Sequence, residues 1–145
     1  MRNIRIMYQY DGSKYYGFQR QKNKDTVQGD IEKIVFSKFN EKINMTSSGR
    51  TDRGVHALGQ VSNFSISKRI PLDAIKQQIN KTLRGKVKIL SIEEIHADFN
   101  ARFDAKRRTY LYVLKNESKI TPFEAPYVTS IKEEIDIDKL QLIFQ

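Results

Sequence analysis

At 145 residues without a cysteine, the chain is long enough for one packed core and too short for two large domains. It offers no disulfide, thiolate zinc site or cysteine nucleophile. Hydrophobic residues at 39% and charged residues at 30% select a folded domain over a disordered chain. The 26 Lys and Arg against 17 Asp and Glu leave a net charge of +9, which fits a polyanionic partner and equally a domain from a lysine-rich proteome.

No apolar run approaches the roughly 20 residues needed to cross a bilayer. The opening stretch "MRNIRIMYQYDG" alternates instead of forming the continuous apolar core of a signal peptide. A soluble protein of the reducing cytoplasm is the expectation.

In chain order, Ile4, Ile6, Tyr8 and Tyr10 alternate with Arg5, Met7 and Gln9, the period of a strand with one buried face. After the glycine-containing turn "DGSKYYGFQRQ", the spacing of Val27, Ile31, Ile34, Val35 and Lys38 becomes helical. Asp25 with Gln28 reads as a capping box, and the helix is expected to end near Asn40. "KINMTSS" and "GQVSNFSI" read as two further strands. A second helix follows from Pro71, with Leu72, Ile75, Ile79 and Leu83 on one face and Gly85 closing it. "KVKILSIEEI" returns to strand character.

The order strand, helix, strand, strand, helix, strand is that of an α+β, ferredoxin-like split βαβ domain, an antiparallel sheet with both helices on one face. Beyond it, "KRRTYLYVLKN" is apolar on both faces and is expected to be a strand buried on both sides. Near the end, Asp136 or Asp138 caps a short helix over Ile137, Leu140, Ile143 and Phe144. The absence of a C-cap after them suggests a fragment of something longer. The domain division expected is 1–100 for the ferredoxin-like part and 101–145 for a central strand and the truncated start of a second half.

The stretch "SGRTDRGVHALGQV", residues 48–61, sits as a loop between the second and third strands. It sets Asp52 between Arg50 and Arg53, with Gly49 and Gly54 bracketing the group and His56 beyond. The two histidines, His56 and His96, lie far apart and argue against a zinc site, and no glycine-rich phosphate loop is present. A carboxylate acting as nucleophile or base is the chemistry left open. Guanidinium neighbours favour its ionised form, and Arg50 shares a face with Asp52 if the segment is extended. Taken alone, the same residues are better described as a charged turn with a solvated ion pair.

This stretch closely resembles the signature of the tRNA pseudouridine synthase A family. "YDGSKYYGFQRQ" at 10–21, "TVQGDIEKI" at 26–34 and "FNARFDAKRRTYLYV" at 99–113 resemble the family's other motifs, in family order. The resemblance implies the N-terminal part, and first half of the fold, of an isomerase that converts uridine to pseudouridine at positions 38 to 40 in the anticodon stem-loop of tRNA. It implies no cofactor and no metal, and a homodimer. By this resemblance Asp52 is the catalytic aspartate, Arg50 the arginine that pairs with it, and Tyr110 the tyrosine that stacks on the target base.

Arg53, Lys106, Arg107 and Arg108 are candidate RNA contacts, though a short charge run is also an ordinary solvated strand end. His56 either touches RNA or holds the loop, the second being favoured. Tyr15, Tyr16 and Phe18 either stack on RNA or pack on the sheet. The carboxylate has two routes open, attack on the sugar at C1′ or proton removal at C2′ to give a glycal. In the family the cleft lies between two similar halves, so the expectation is a chain inactive by itself. The alternative is a ferredoxin-like RNA-binding module without catalysis.

Overall fold

The computed structural model describes residues 1–144 and divides the chain into two compact units, Met1–Arg108 and Thr109–Gln145. The first begins with β1 (Arg2–Tyr10), α1 (Val27–Phe39), β2 (Thr46–Ser47) and β3 (Ala57–Ile66), followed by α2 (Leu72–Thr82) and β4 (Val87–Ile95). The strands form one sheet in the order β2-β3-β1-β4, and every neighbouring pair is antiparallel. This is the expected split βαβ, α+β arrangement. Each strand-helix-strand crossover leaves a gap that a strand from the other crossover fills.

The alternation in β1 is decisive for the core. Ile4, Ile6 and Tyr8 are completely buried, and they meet Val27, Ile31 and Val35 of α1 and Ile75 and Ile79 of α2 in one cluster. Phe64 and Ile66 of β3 and Val87 and Ile89 of β4 complete it. Lys38, at the end of the α1 stripe, is exposed, and Phe39 packs against the core instead. Burial pushes the Tyr8 hydroxyl well above the usual tyrosine range, and Ser62 Oγ at 2.8 Å satisfies it.

Two local expectations change. The N-cap of α1 is Thr26, whose Oγ1 accepts from Gly29 N at 3.2 Å, and not Asp25. Gln28 cannot fold back as a capping box because its amide bonds Arg20 N, Glu32 and the Met45 carbonyl. The second strand contracts from "KINMTSS" to Thr46–Ser47 for a related reason. Met45 N donates to Glu32 Oε1 at 2.9 Å, so buried side chains satisfy backbone groups that a ladder would otherwise satisfy.

Residues beyond β4 remain part of the first unit. Asn3 Nδ2 donates to the carbonyls of His96 and Phe99, and Ala101 N donates to Asn63 Oδ1 at 2.8 Å. The Arg108 guanidinium donates to the Ser48 and Arg102 carbonyls.

The second unit contains β5 (Leu114–Asn116), β6 (Thr129–Ile131) and α3 (Ile137–Ile143). β5 and β6 pair in parallel, Leu114 opposite Thr129 and Asn116 opposite Ile131, joined through 117–128 by two 3₁₀ turns. Asp136 caps α3, its Oδ1 accepting from Lys139 N at 3.1 Å. The expected doubly buried strand over "KRRTYLYVLKN" is corrected. Only its end, Leu114–Asn116, is a strand, and Tyr110, Leu111 and Tyr112 are 67%, 78% and 78% exposed. Alternation and β-branching raise strand propensity, but a strand also needs hydrogen-bonded neighbours, and among the described residues 109–113 pairs with none in a sheet.

Candidate active site

The loop between β2 and β3 is held from its base upward. Ser48 N donates to the Val61 carbonyl at 2.9 Å, and the buried Gln60 amide reaches Ser48 Oγ and the Gly49 carbonyl, both at 2.9 Å. β3 carries an extra residue opposite β1 between Ala57 and Gln60, since Tyr8 pairs with Gln60 but Tyr10 with Ala57. Such a bulge re-aims the end of a strand, here where it leaves the loop.

Higher up, the loop is fastened to the segment after β1. Thr51 Oγ1 shares a hydrogen bond with Tyr10 OH at 2.7 Å, and its carbonyl accepts from Phe18 N at 3.1 Å. His56 Nδ1 accepts from Gly12 N at 3.0 Å and lies 3.1 Å from Asp11 Oδ1. A Cβ on Gly12 would overlap the Val55 carbonyl, so glycine is required there by close backbone approach and not by a turn. These contacts join His56, at the far end of the loop, to the turn after β1.

Between these two fastenings stands Asp52. Its carbonyl closes a tight turn by accepting from Val55 N at 3.1 Å, with Gly54 at φ +84°. Its side chain is exposed, and among the described residues its carboxylate makes no hydrogen bond or ion pair. Among the described residues the pairing with Arg50 expected from extended geometry is not formed, and both residues lie outside β2 and β3. Arg50 is exposed, and Arg53 stacks its guanidinium 4.6 Å from the Tyr16 ring centroid. Of the aromatic cluster, Tyr15 and Phe18 are core residues at 3% and 2% exposure, and only Tyr16 faces solvent.

Beside the loop stem runs a polar groove of about 510 Å³ lined by Arg20, Arg50, Arg102 and Arg108 together with Ser47 and Ser48. Arg108 is braced by its two carbonyl contacts, whereas Lys106 and Arg107 are simply exposed. Tyr110 belongs to the second unit and presents an open ring face. Sequence reasoning passed over Tyr10, Gly12 and Thr51 as site supports. Their presence inside the two quoted motifs was the available signal, but the pairing of the motifs in space was not.

Fold and loop together define a ferredoxin-like α+β domain that offers a loop-borne carboxylate beside a basic groove, an arrangement suited to chemistry on a nucleic acid. The chain belongs to the tRNA pseudouridine synthase family, whose model matches residues 6–104. It is 40% identical to a tRNA pseudouridine synthase A of Caldicellulosiruptor bescii over 97% of this chain. Over 88% of the chain it is 44% identical to the tRNA pseudouridine synthase A of Solibacter usitatus, and over 98% it is 42% identical to that of Dictyoglomus thermophilum. The chain spans 58%, 53% and 59% of the lengths of these three relatives. Among the described residues no helix is long and apolar enough to cross a membrane.

Proposed function

We propose that this chain acts in the isomerisation of uridine to pseudouridine at positions 38 to 40 of the tRNA anticodon stem-loop, with Asp52 as the catalytic carboxylate. The observation that carries the proposal is the free, exposed carboxylate of Asp52 on a loop whose flanking residues, Thr51 and His56, are both tied to the segment after β1. A nucleophile must be uncommitted yet fixed in position, and this arrangement supports both. Family membership and the relatives' names support the substrate class.

Along the first route, an Asp52 carboxylate oxygen bonds to C1′ as the C1′–N1 bond breaks, its electrons passing to the uracil ring. The base turns, C5 bonds to C1′ and displaces the carboxylate, and the C5 proton leaves as N1 is protonated. Along the second, Asp52 takes the C2′ proton and a glycal forms as N1 departs. C5 then joins C1′ as the proton returns to C2′, and the C5 proton leaves as N1 is protonated. Both routes are redox-neutral and call on no cofactor.

The target nucleotide must leave the stack, at a cost of a few kcal/mol. Arg50, near the loop, is suited to hold the opened strand. Tyr110 is suited to stack on the base, and Arg53, Lys106 and Arg107 to meet phosphates. The same reading places the protein in the cytoplasm as a homodimer.

Asp52→Asn keeps shape and removes the nucleophile. Pseudouridine formation in tRNA, measured by mass spectrometry on the intact protein, is expected to fall about a hundredfold or more while tRNA affinity stays within about threefold. Full activity in the variant overturns the assignment. Intact wild-type protein, as distinct from the 145-residue chain alone, that binds tRNA without forming product leaves the RNA-binding module as the correct reading.

A further inference from the structure

Beneath the groove lies a charged group that neither the loop nor the family reading uses. Glu32 of α1 is only 7% exposed. Its Oε1 accepts from Gln28 Nε2 and from Met45 N, both at 2.9 Å, and its Oε2 accepts from the Arg20 guanidinium. Gln28 Oε1 also accepts from Arg20 N at 3.2 Å, so Arg20 is fastened at both its backbone and its head.

An ion pair buried on its carboxylate side only is an uncertain source of stability, because desolvation of the carboxylate offsets the attraction. What it does supply is orientation. A guanidinium has five N–H donors in a rigid fork, and the Arg20 side chain remains 56% exposed after meeting Glu32. Donors remain for a second anion.

The surroundings favour such an anion. Four guanidinium groups line the groove against the one carboxylate of Glu32, which leaves three positive charges in excess, and among the described residues no Asp or Glu is on its wall. Ser47 and Ser48 stand along it with hydroxyls. Its one aromatic, Phe18, is buried at 2% exposure, so it gives no stacking platform for a base. The chemistry is that of a phosphodiester contact. Arg50 lines the groove and stands two residues from Asp52, so a strand offering a nucleotide to Asp52 brings a neighbouring phosphate to it.

We propose that this groove is a subsite for the RNA backbone flanking the reacting nucleotide, with Arg20 as a phosphate ligand and Glu32 as the residue that positions it. The proposal rests on the reading of tRNA as substrate. Such a contact secures register and carries no base sequence.

The test is the affinity of the intact protein for a fluorescein-labelled anticodon stem-loop RNA across a salt series, with product formation measured alongside. Arg20→Ala is expected to weaken binding about tenfold and to lower the slope of log Kd against log salt by about 0.7 to 1, the loss of one phosphate contact. Arg20→Lys is expected to keep the slope and still bind more weakly, because charge remains but the fork is lost. Glu32→Gln is expected to raise KM more than it lowers kcat. That variant also loosens a buried network, so the exposed Arg20 substitutions, checked by thermal melts, decide the matter.

Unchanged affinity and slope in Arg20→Ala overturn the subsite. If Asp52→Asn has at the same time abolished product, the catalytic reading stands without it. If wild type forms no product yet Arg20→Ala loses its slope, the catalytic reading fails and the phosphate subsite stands.

Discussion

β1 and the stretch 109–113 are locally alike, both alternating tyrosines with aliphatic or polar residues, and their fates are opposite. Tyr8 is completely buried between α1 and its neighbouring strands, whereas Tyr110 and Tyr112 are 67% and 78% exposed in backbone without sheet pairing. The difference is the number of partners. β1 is hydrogen-bonded on both edges, to β3 and β4, and covered by two helices. In the second unit no described residue is buried, and its two strands of three residues pair only with each other. Strand propensity sets what a segment can become, and neighbours decide whether it does.

This contrast can be broken by core truncation. Phe64→Ala, at a site 1% exposed, is expected to lower the stability of the first unit by about 3 to 5 kcal/mol, measured by urea unfolding followed by far-UV circular dichroism. Gly12→Ala is expected to cost about 1 to 3 kcal/mol, because the new methyl overlaps the Val55 backbone. It should also reduce product formation by displacing the loop beside Asp52, while a variant as active and stable as wild type would show the loop to be looser than its contacts imply. Leu111→Ala sharpens the comparison from the other side. At 78% exposure it is expected to change unfolding by no more than about 0.5 kcal/mol, and a loss rivalling that of Phe64→Ala would erase the distinction between the units.

Much of the fold was legible because its core signals are local. The apolar stripe of α1, the face of α2 that buries Ile75 and Ile79, and the alternation of Ile4 to Tyr10 all report which side of an element seeks the core. What misled were positions where a long-range partner took over a local role. Gln28 looked like half of a capping box and instead serves Arg20, Glu32 and Met45. Arg50 looked like the partner of Asp52 on the assumption of an extended segment, but 50–52 belongs to no strand and no ion pair joins the two among the described residues. Tyr15 and Phe18 were evenly poised between core and surface, and only the packing against Tyr10 and α1 separated them from Tyr16.

The sequence by itself determined the class of domain, the order of its elements and the loop that carries Asp52, because periodicity and motif spacing are properties of neighbouring residues. It also determined the family, through four motifs in one order. Tertiary structure alone decided that Thr51 and His56 are clamped to the turn after β1 while Asp52 stays free, and that a buried Glu32 fixes Arg20 at the wall of a basic groove. Those facts join residues from 12 to 44 positions apart, and hydrogen bonds of that span arise only once the sheet and helices have brought the segments together.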